Sequence, residues 1–200
     1  MTLIIKKGMF VHLPKTGGSF LRKVLTTFHQ DAQDYKAKGW HRKLDVVKEE
    51  FEHEFSFSIV RHPITWYESA WKHTKAVKTA GIGWGNENHP LSDLEPLYDP
   101  DFSKFIDNVI EKVPGYYSKA LEDYIGEDYN GVDFIAKTET LYFDAVKIME
   151  RLGIKYNMDT VLKSPKFQRL DNTINWKEGQ KEKILELENR VIKHFYNEKT

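Results

Sequence analysis

Two apolar runs in this chain stop at a proline and give way to helical periodicity, and that repeated pattern limits the fold more than any other feature. The first run extends from Leu3 to Leu13 and ends at Pro14, and the second extends from Phe55 to Val60 shortly before Pro63. Each has the length and apolar content of a buried strand. After the first, Phe20, Leu21, Val24, Leu25 and Phe28 recur at the three- and four-residue steps of one buried helical face, between Ser19 and Phe28. After the second, Ile64 to Val77 has the same spacing. Strand leading into helix, twice over, predicts an α/β fold in which a small parallel sheet is flanked by helices.

The rest of the chain extends this plan. A polar stretch from His29 to Trp40 precedes a short helix over Lys43–Glu52, and the second half offers helices over Asp101–Lys112 and Tyr116–Ile125. A strand over Val132–Ala136 follows, then a helix from about Glu139 to Leu152. The last helix, Lys177–Tyr196, places Ile184, Leu187, Val191 and Phe195 on one face and charges opposite, the signature of a packing helix with a solvated side. Long loops are expected over Thr79–Pro100 and Lys155–Trp176. With 200 residues and no internal repeat, the expectation is one domain over 1–200.

Charge and cysteine content exclude several classes of function. Thirty basic and thirty acidic side chains cancel, so no global field draws in nucleic acid or an anionic membrane, and any anion site has to be local. The absence of cysteine removes disulfides, thiolate metal sites and cysteine nucleophiles together. No run approaches the roughly 18 apolar residues of a membrane span, and the chain reads as cytoplasmic. The eight histidines are scattered, with neither HExxH nor a paired-carboxylate motif, so no metal is expected.

The strongest chemical signal is PKTGGS, Pro14 to Ser19, between the first strand and its helix. Two adjacent glycines let the backbone turn tightly with its amides inward, and the helix adds its positive end, which suits a phosphate or sulfate. Lys15 contributes a mobile charge, and Thr16 and Ser19 contribute hydroxyls. The order differs from the mononucleotide P-loop, where the lysine follows the glycines. The second signal is RHPITWYES, again at a strand end: Arg61 can grip a phosphate through two parallel hydrogen bonds, and Ser69, two turns into the helix, can offer a hydroxyl to the same anion. Two strand-end anion sites imply a ligand with phosphates at both ends, bound at the carboxyl edge of the sheet.

HLPKTGGSFL followed by FSIVRHPITWYES resembles the sulfotransferases that use 3′-phosphoadenosine 5′-phosphosulfate (PAPS), in pattern nearest the carbohydrate sulfotransferases and their bacterial and phage-type relatives. The later segment FIAKTETLYFDAVKIMERLGI, Phe134 to Ile154, is similar to that family's later strand and helix. The resemblance implies a P-loop-like, three-layer α/β fold. It also implies that Lys15, Thr16, Gly17, Gly18 and Ser19 hold the 5′-phosphosulfate while Arg61 and Ser69 hold the 3′-phosphate. Many carbohydrate sulfotransferases carry a basic residue where Trp66 stands, and the loop that closes over the nucleotide reads here LKSPKFQRL, without the family's frequent Asn. Lys163, Ser164, Lys166 and Arg169 are candidates in that loop, Ser164 and Lys166 foremost.

Sulfuryl transfer requires charge to be neutralised on the departing phosphate, a role that falls to Lys15 with the amides of Gly17 and Gly18 and the hydroxyls of Thr16 and Ser19. A base should take the acceptor's proton. His41, in GWHRKLD, is the first choice because related sulfotransferases place a His or Glu base in this interval, ahead of His62, His73 and Glu68. The acceptor, a small molecule or a glycan, would lie against aromatic residues drawn from Trp84, Tyr98, Tyr116 and Tyr117, with His89 nearby. The alternatives are a small P-loop-like nucleotide kinase and a non-catalytic nucleotide- or sulfate-binding module.

Overall fold

The computed structural model describes residues 2–35, 43–81, 91–164 and 174–197, and the chain forms two compact units. The first comprises residues 1–61 and 121–168, and the second comprises 62–120 and 169–200.

The first unit is built on a five-stranded sheet ordered β3-β1-β2-β4-β5. Its strands are β1 (Thr2–Ile5), β2 (Gly8–Phe10), β3 (Gln33–Tyr35), β4 (Phe55–Val60) and β5 (Phe134–Lys137). β2, β4 and β5 are parallel, whereas β1 pairs antiparallel with both β2 and β3. The parallel sheet expected from the sequence is therefore the working half of a mixed one. The apolar run expected as one strand from Leu3 to Leu13 is a hairpin, because Lys6 and Lys7 interrupt it with charges that stay exposed. Lys6 turns the chain with φ 50° and donates from Nζ to the carbonyls of Leu152 and Gly153, at 3.0 and 2.8 Å. β3 lies within the stretch expected to be only polar, and as an edge strand it needs main-chain pairing more than an apolar pattern.

All six residues of β4 are buried, as befits a central strand covered on both faces. Phe10, Phe57 and Phe55 form a ladder of near-parallel rings with neighbouring centroids 5.3 Å apart, worth about 0.5–1.5 kcal/mol per pair beyond area burial. Onto this side pack α1 (Gly18–Phe28) and α6 (Leu141–Arg151). The core joins Phe20, Leu21, Val24 and Leu25 of α1, at the three- and four-residue spacing read from the sequence, to Leu141, Ala145, Ile148 and Met149 of α6. The unit also contains α2 (Leu44–Glu50) and α7 (Met158–Lys163). α7 falls inside the expected loop Lys155–Trp176, too short to announce itself, with Val161 as its buried anchor and Asn157 as its cap.

The second unit is helical: α3 (Pro63–Thr79), α4 (Phe102–Lys112), α8 (Gln180–Leu187), α9 (Asn189–Val191) and a closing π turn over Ile192–Tyr196. The single last helix expected is thus broken at Glu188. α5 (Tyr116–Ile125) begins in this unit and ends in the first. Within the expected loop Thr79–Pro100, Leu91, Leu94 and Leu97 are buried around a short 3-10 turn, so that part is packed. No described helix is long and apolar enough to cross a membrane.

Candidate active site

Because β2, β4 and β5 are parallel, the segments leaving their carboxyl ends emerge at one edge. From β2 the chain stays extended, with the Val11 amide donating to the Phe57 carbonyl at 2.9 Å, and turns at Leu13. Thr16 closes that turn: its buried hydroxyl donates to the Leu13 carbonyl at 2.9 Å, so its one hydrogen shapes the loop. Lys15, half-buried, adopts φ 71°, a left-handed backbone that costs a non-glycine residue about 1–3 kcal/mol and clusters at functional sites. Gly17 is the N-cap of α1 at φ 102°, where an added Cβ would lie 2.8 Å from Leu141 Cδ2. Having no side chain, it brings no oxygen to the first-turn amides, and α1 presents its positive end to the loop. Gly18 donates its amide to Nε2 of the buried His12 at 3.2 Å, and Ser19 is exposed on the first turn.

The other two strand ends brace this loop. Arg61, one residue past β4, donates from Nη1 to the Lys15 carbonyl at 3.1 Å, which joins the two motifs directly. Thr138, one residue past β5, shares its hydroxyl hydrogen between the carbonyls of Thr16 at 2.5 Å and Val60 at 3.1 Å. Asp144 holds the β5–α6 turn in place, accepting from the Lys137 amide at 3.0 Å, the Thr140 hydroxyl at 2.6 Å and the Lys147 ammonium at 2.9 Å. Burial pushes its carboxyl upward, but those three donors outweigh it and leave the pKa below the ordinary aspartate value. Nothing in the sequence marks His12, Thr138 or Asp144 as part of a site. KTE at the end of β5 carries no phosphate signature, and only strand pairing brings it beside PKTGGS.

Ser164 ends α7 in the first unit. Its hydroxyl donates to the Thr160 carbonyl at 3.0 Å, and its carbonyl accepts from Tyr142 at 3.0 Å, whose ring meets Phe20 edge-on at 4.8 Å. In the second unit, Ser69 is half-buried on α3. The residues before it on α3 are each held: Trp66 stacks on Tyr117 at 4.4 Å, Tyr67 donates to Glu188 at 2.5 Å, and Glu68 accepts from the Trp176 indole at 2.9 Å. Glu68, weighed as a base, is thus bonded to an indole. Tyr117, one of the aromatics expected against the acceptor, is fully buried with Trp66, while Tyr116 and Tyr98 are half-buried. His62 stands at the N-cap position of α3 and meets the Tyr196 ring edge-on at 5.1 Å, and His73 is half-buried farther along that helix. His41, Lys166, Arg169, Trp84 and His89 lie outside the described residues. Among the described residues, no group of three or more His, Asp or Glu could hold a metal ion.

No curated protein and no solved structure matches the chain. The family model described as "Sulfotransferase family" matches residues 6–197, a span that takes in both motifs and all three parallel strands. The chain therefore belongs to the sulfotransferase family, enzymes that transfer sulfuryl groups, and carries out that chemistry on an α/β, P-loop-like fold.

Proposed function

We propose that this sulfotransferase takes its sulfuryl group from 3′-phosphoadenosine 5′-phosphosulfate and passes it to a hydroxyl of a small-molecule or glycan acceptor. The observation that carries the reading is the hydrogen bond from the Arg61 guanidinium to the Lys15 carbonyl: two cation-bearing motifs meet at the ends of neighbouring parallel strands. Such an edge suits a ligand with separated anionic groups. The loop fits the donor's phosphosulfate for a second reason, since it leads straight into the N-terminus of α1, where the Gly17 cap brings no side-chain oxygen to the first-turn amides.

The donor supplies an activated sulfuryl group, transferred in line as the acceptor oxygen bonds to sulfur and the sulfur–oxygen bond to phosphate breaks. Lys15 neutralises the charge left on that phosphate, and the start of α1, from Gly17 to Ser19, contributes its helix dipole. Arg61 and Ser69 bind the 3′-phosphate, and Ser164 and Lys166 add contacts from the late loop. His41 takes the acceptor's proton as the oxygen bonds to sulfur.

Transfer of labelled sulfate from this donor, screened over sugars, phenols and small alcohols, tests the reaction. Adenosine 3′,5′-bisphosphate should raise the melting temperature, and Arg61→Ala should remove most of that rise. Lys15→Ala should lower kcat by about 100-fold or more, the usual effect of losing one preorganised charge contact. The absence of any thermal shift at millimolar nucleotide would count against this donor.

A further inference from the structure

We infer that His12 is a positioning residue of the donor loop and that Gly18 is required by His12 more than by the nucleotide. This rests on the reading of the loop given above. The imidazole is 6% exposed, its ring 5.4 Å from that of Phe10 and tilted by 35°, so the side chain has little freedom. Its Nε2 accepts the amide hydrogen of Gly18, the first residue of α1, at 3.2 Å. An acceptor nitrogen carries no hydrogen, so the neutral ring bears its proton on Nδ1.

First-turn amides of a helix have no partner within the helix and ordinarily point at whatever anion the terminus binds. Here one of them is already committed to a side chain of the preceding strand segment. The bond ties the start of α1 to the segment just past β2, and with it fixes Gly17, which lies between them. Steric space makes the same point. A Cβ on Gly18 would fall 2.2 Å from both Cδ2 and Nε2 of His12 and 2.5 Å from Cε1, closer than any real contact. At Gly17 the nearest atom is Leu141 Cδ2 at 2.8 Å, so the two adjacent glycines are constrained by different neighbours. The second makes room for an imidazole.

The test is a double-substitution cycle read in two ways, as melting temperature without ligand and as nucleotide binding with donor KM and kcat. His12→Ala should raise the donor KM about tenfold, the equivalent of one misplaced hydrogen bond. Its kcat should change less. His12→Gln, whose amide oxygen can take the place of Nε2, should recover most of the lost affinity. Gly18→Ala should be the most damaging single change, and adding His12→Ala should relieve it, because the clash leaves with the ring.

Nucleotide binding unaffected by His12→Ala, a glutamine variant as weak as the alanine one, or losses at 12 and 18 that simply add would each overturn the inference while leaving the donor assignment intact. Failure of the unsubstituted chain to bind adenosine 3′,5′-bisphosphate would overturn the donor reading and this role with it. The ligand-free melting cycle would still show whether the two residues touch.

Discussion

Gly17 bears the heaviest conformational demand in the loop, with φ 102° and a leucine methyl in the way of any side chain. Gly179, the N-cap of α8, has φ 78° but open space around it, which makes it a control. Gly179→Ala should cost about 1 kcal/mol, the left-handed backbone penalty alone. Gly17→Ala should cost roughly 2–4 kcal/mol, because overpacking adds to the same penalty. Denaturant midpoints measure both, and equal losses would mean that Leu141 does not press on the loop. The glycine pair was legible in the sequence as a phosphate turn, since bare backbone beside Lys and Ser has few other uses. The direction of the Thr16 hydroxyl, into the Leu13 carbonyl, was not legible, because one Thr serves equally well facing an anion or its own backbone.

Helix ends carry much of the organisation of the second unit. The start of α5 is capped from a distant part of the chain: Glu188, fully buried at the break between α8 and α9, accepts the Tyr117 amide at 3.1 Å and the Ser118 amide at 2.7 Å. It also accepts the Ser118 hydroxyl at 2.6 Å and the Tyr67 hydroxyl at 2.5 Å, so one carboxyl ties α3, α5 and the C-terminal helices. Glu188→Ala strands these buried donors, and each unmet donor costs about 1–3 kcal/mol, so the unit should lose at least about 3 kcal/mol in chemical denaturation. Glu188→Gln should lose less, since it keeps one acceptor oxygen. Equal losses would mean that side-chain volume rather than hydrogen bonding is what matters at this position. The apolar spacing of Ile184, Leu187, Val191 and Phe195 predicts one continuous amphipathic helix here, whereas the chain breaks at Glu188. A buried acid on a helix face looks like any solvated acid until its partners, some 70 and 121 positions away, are known.

For the molecule as a whole, stability should fall at both ends of the pH scale. Tyr67 has its pKa raised well above the ordinary value by burial, then by the neighbouring Glu188. Its contribution is full below the unfolded tyrosine range near pH ~10 and is lost as pH rises beyond it. Asp133, held low chiefly by the Ser56 hydroxyl, Asp107, held low chiefly by Lys177, and Asp144 act in the opposite direction. Their contributions are full above the unfolded aspartate value near pH ~4 and disappear as pH falls below it. Denaturant midpoints between pH 2 and 11 should trace a dome, and a flat profile below about pH 4 would contradict the aspartate pairings. Apolar runs, prolines and glycines were enough to announce strands entering helices and an anion turn between them, because those outcomes depend on periodicity and steric limits within a few residues. That Arg61 grips the Lys15 carbonyl, Thr138 bridges two strand ends and His12 lies against Gly18 followed only from folding. The bonds made by Arg61 and Thr138 join segments distant in the chain, and parallel pairing of β2, β4 and β5 has to align those ends before any such contact exists.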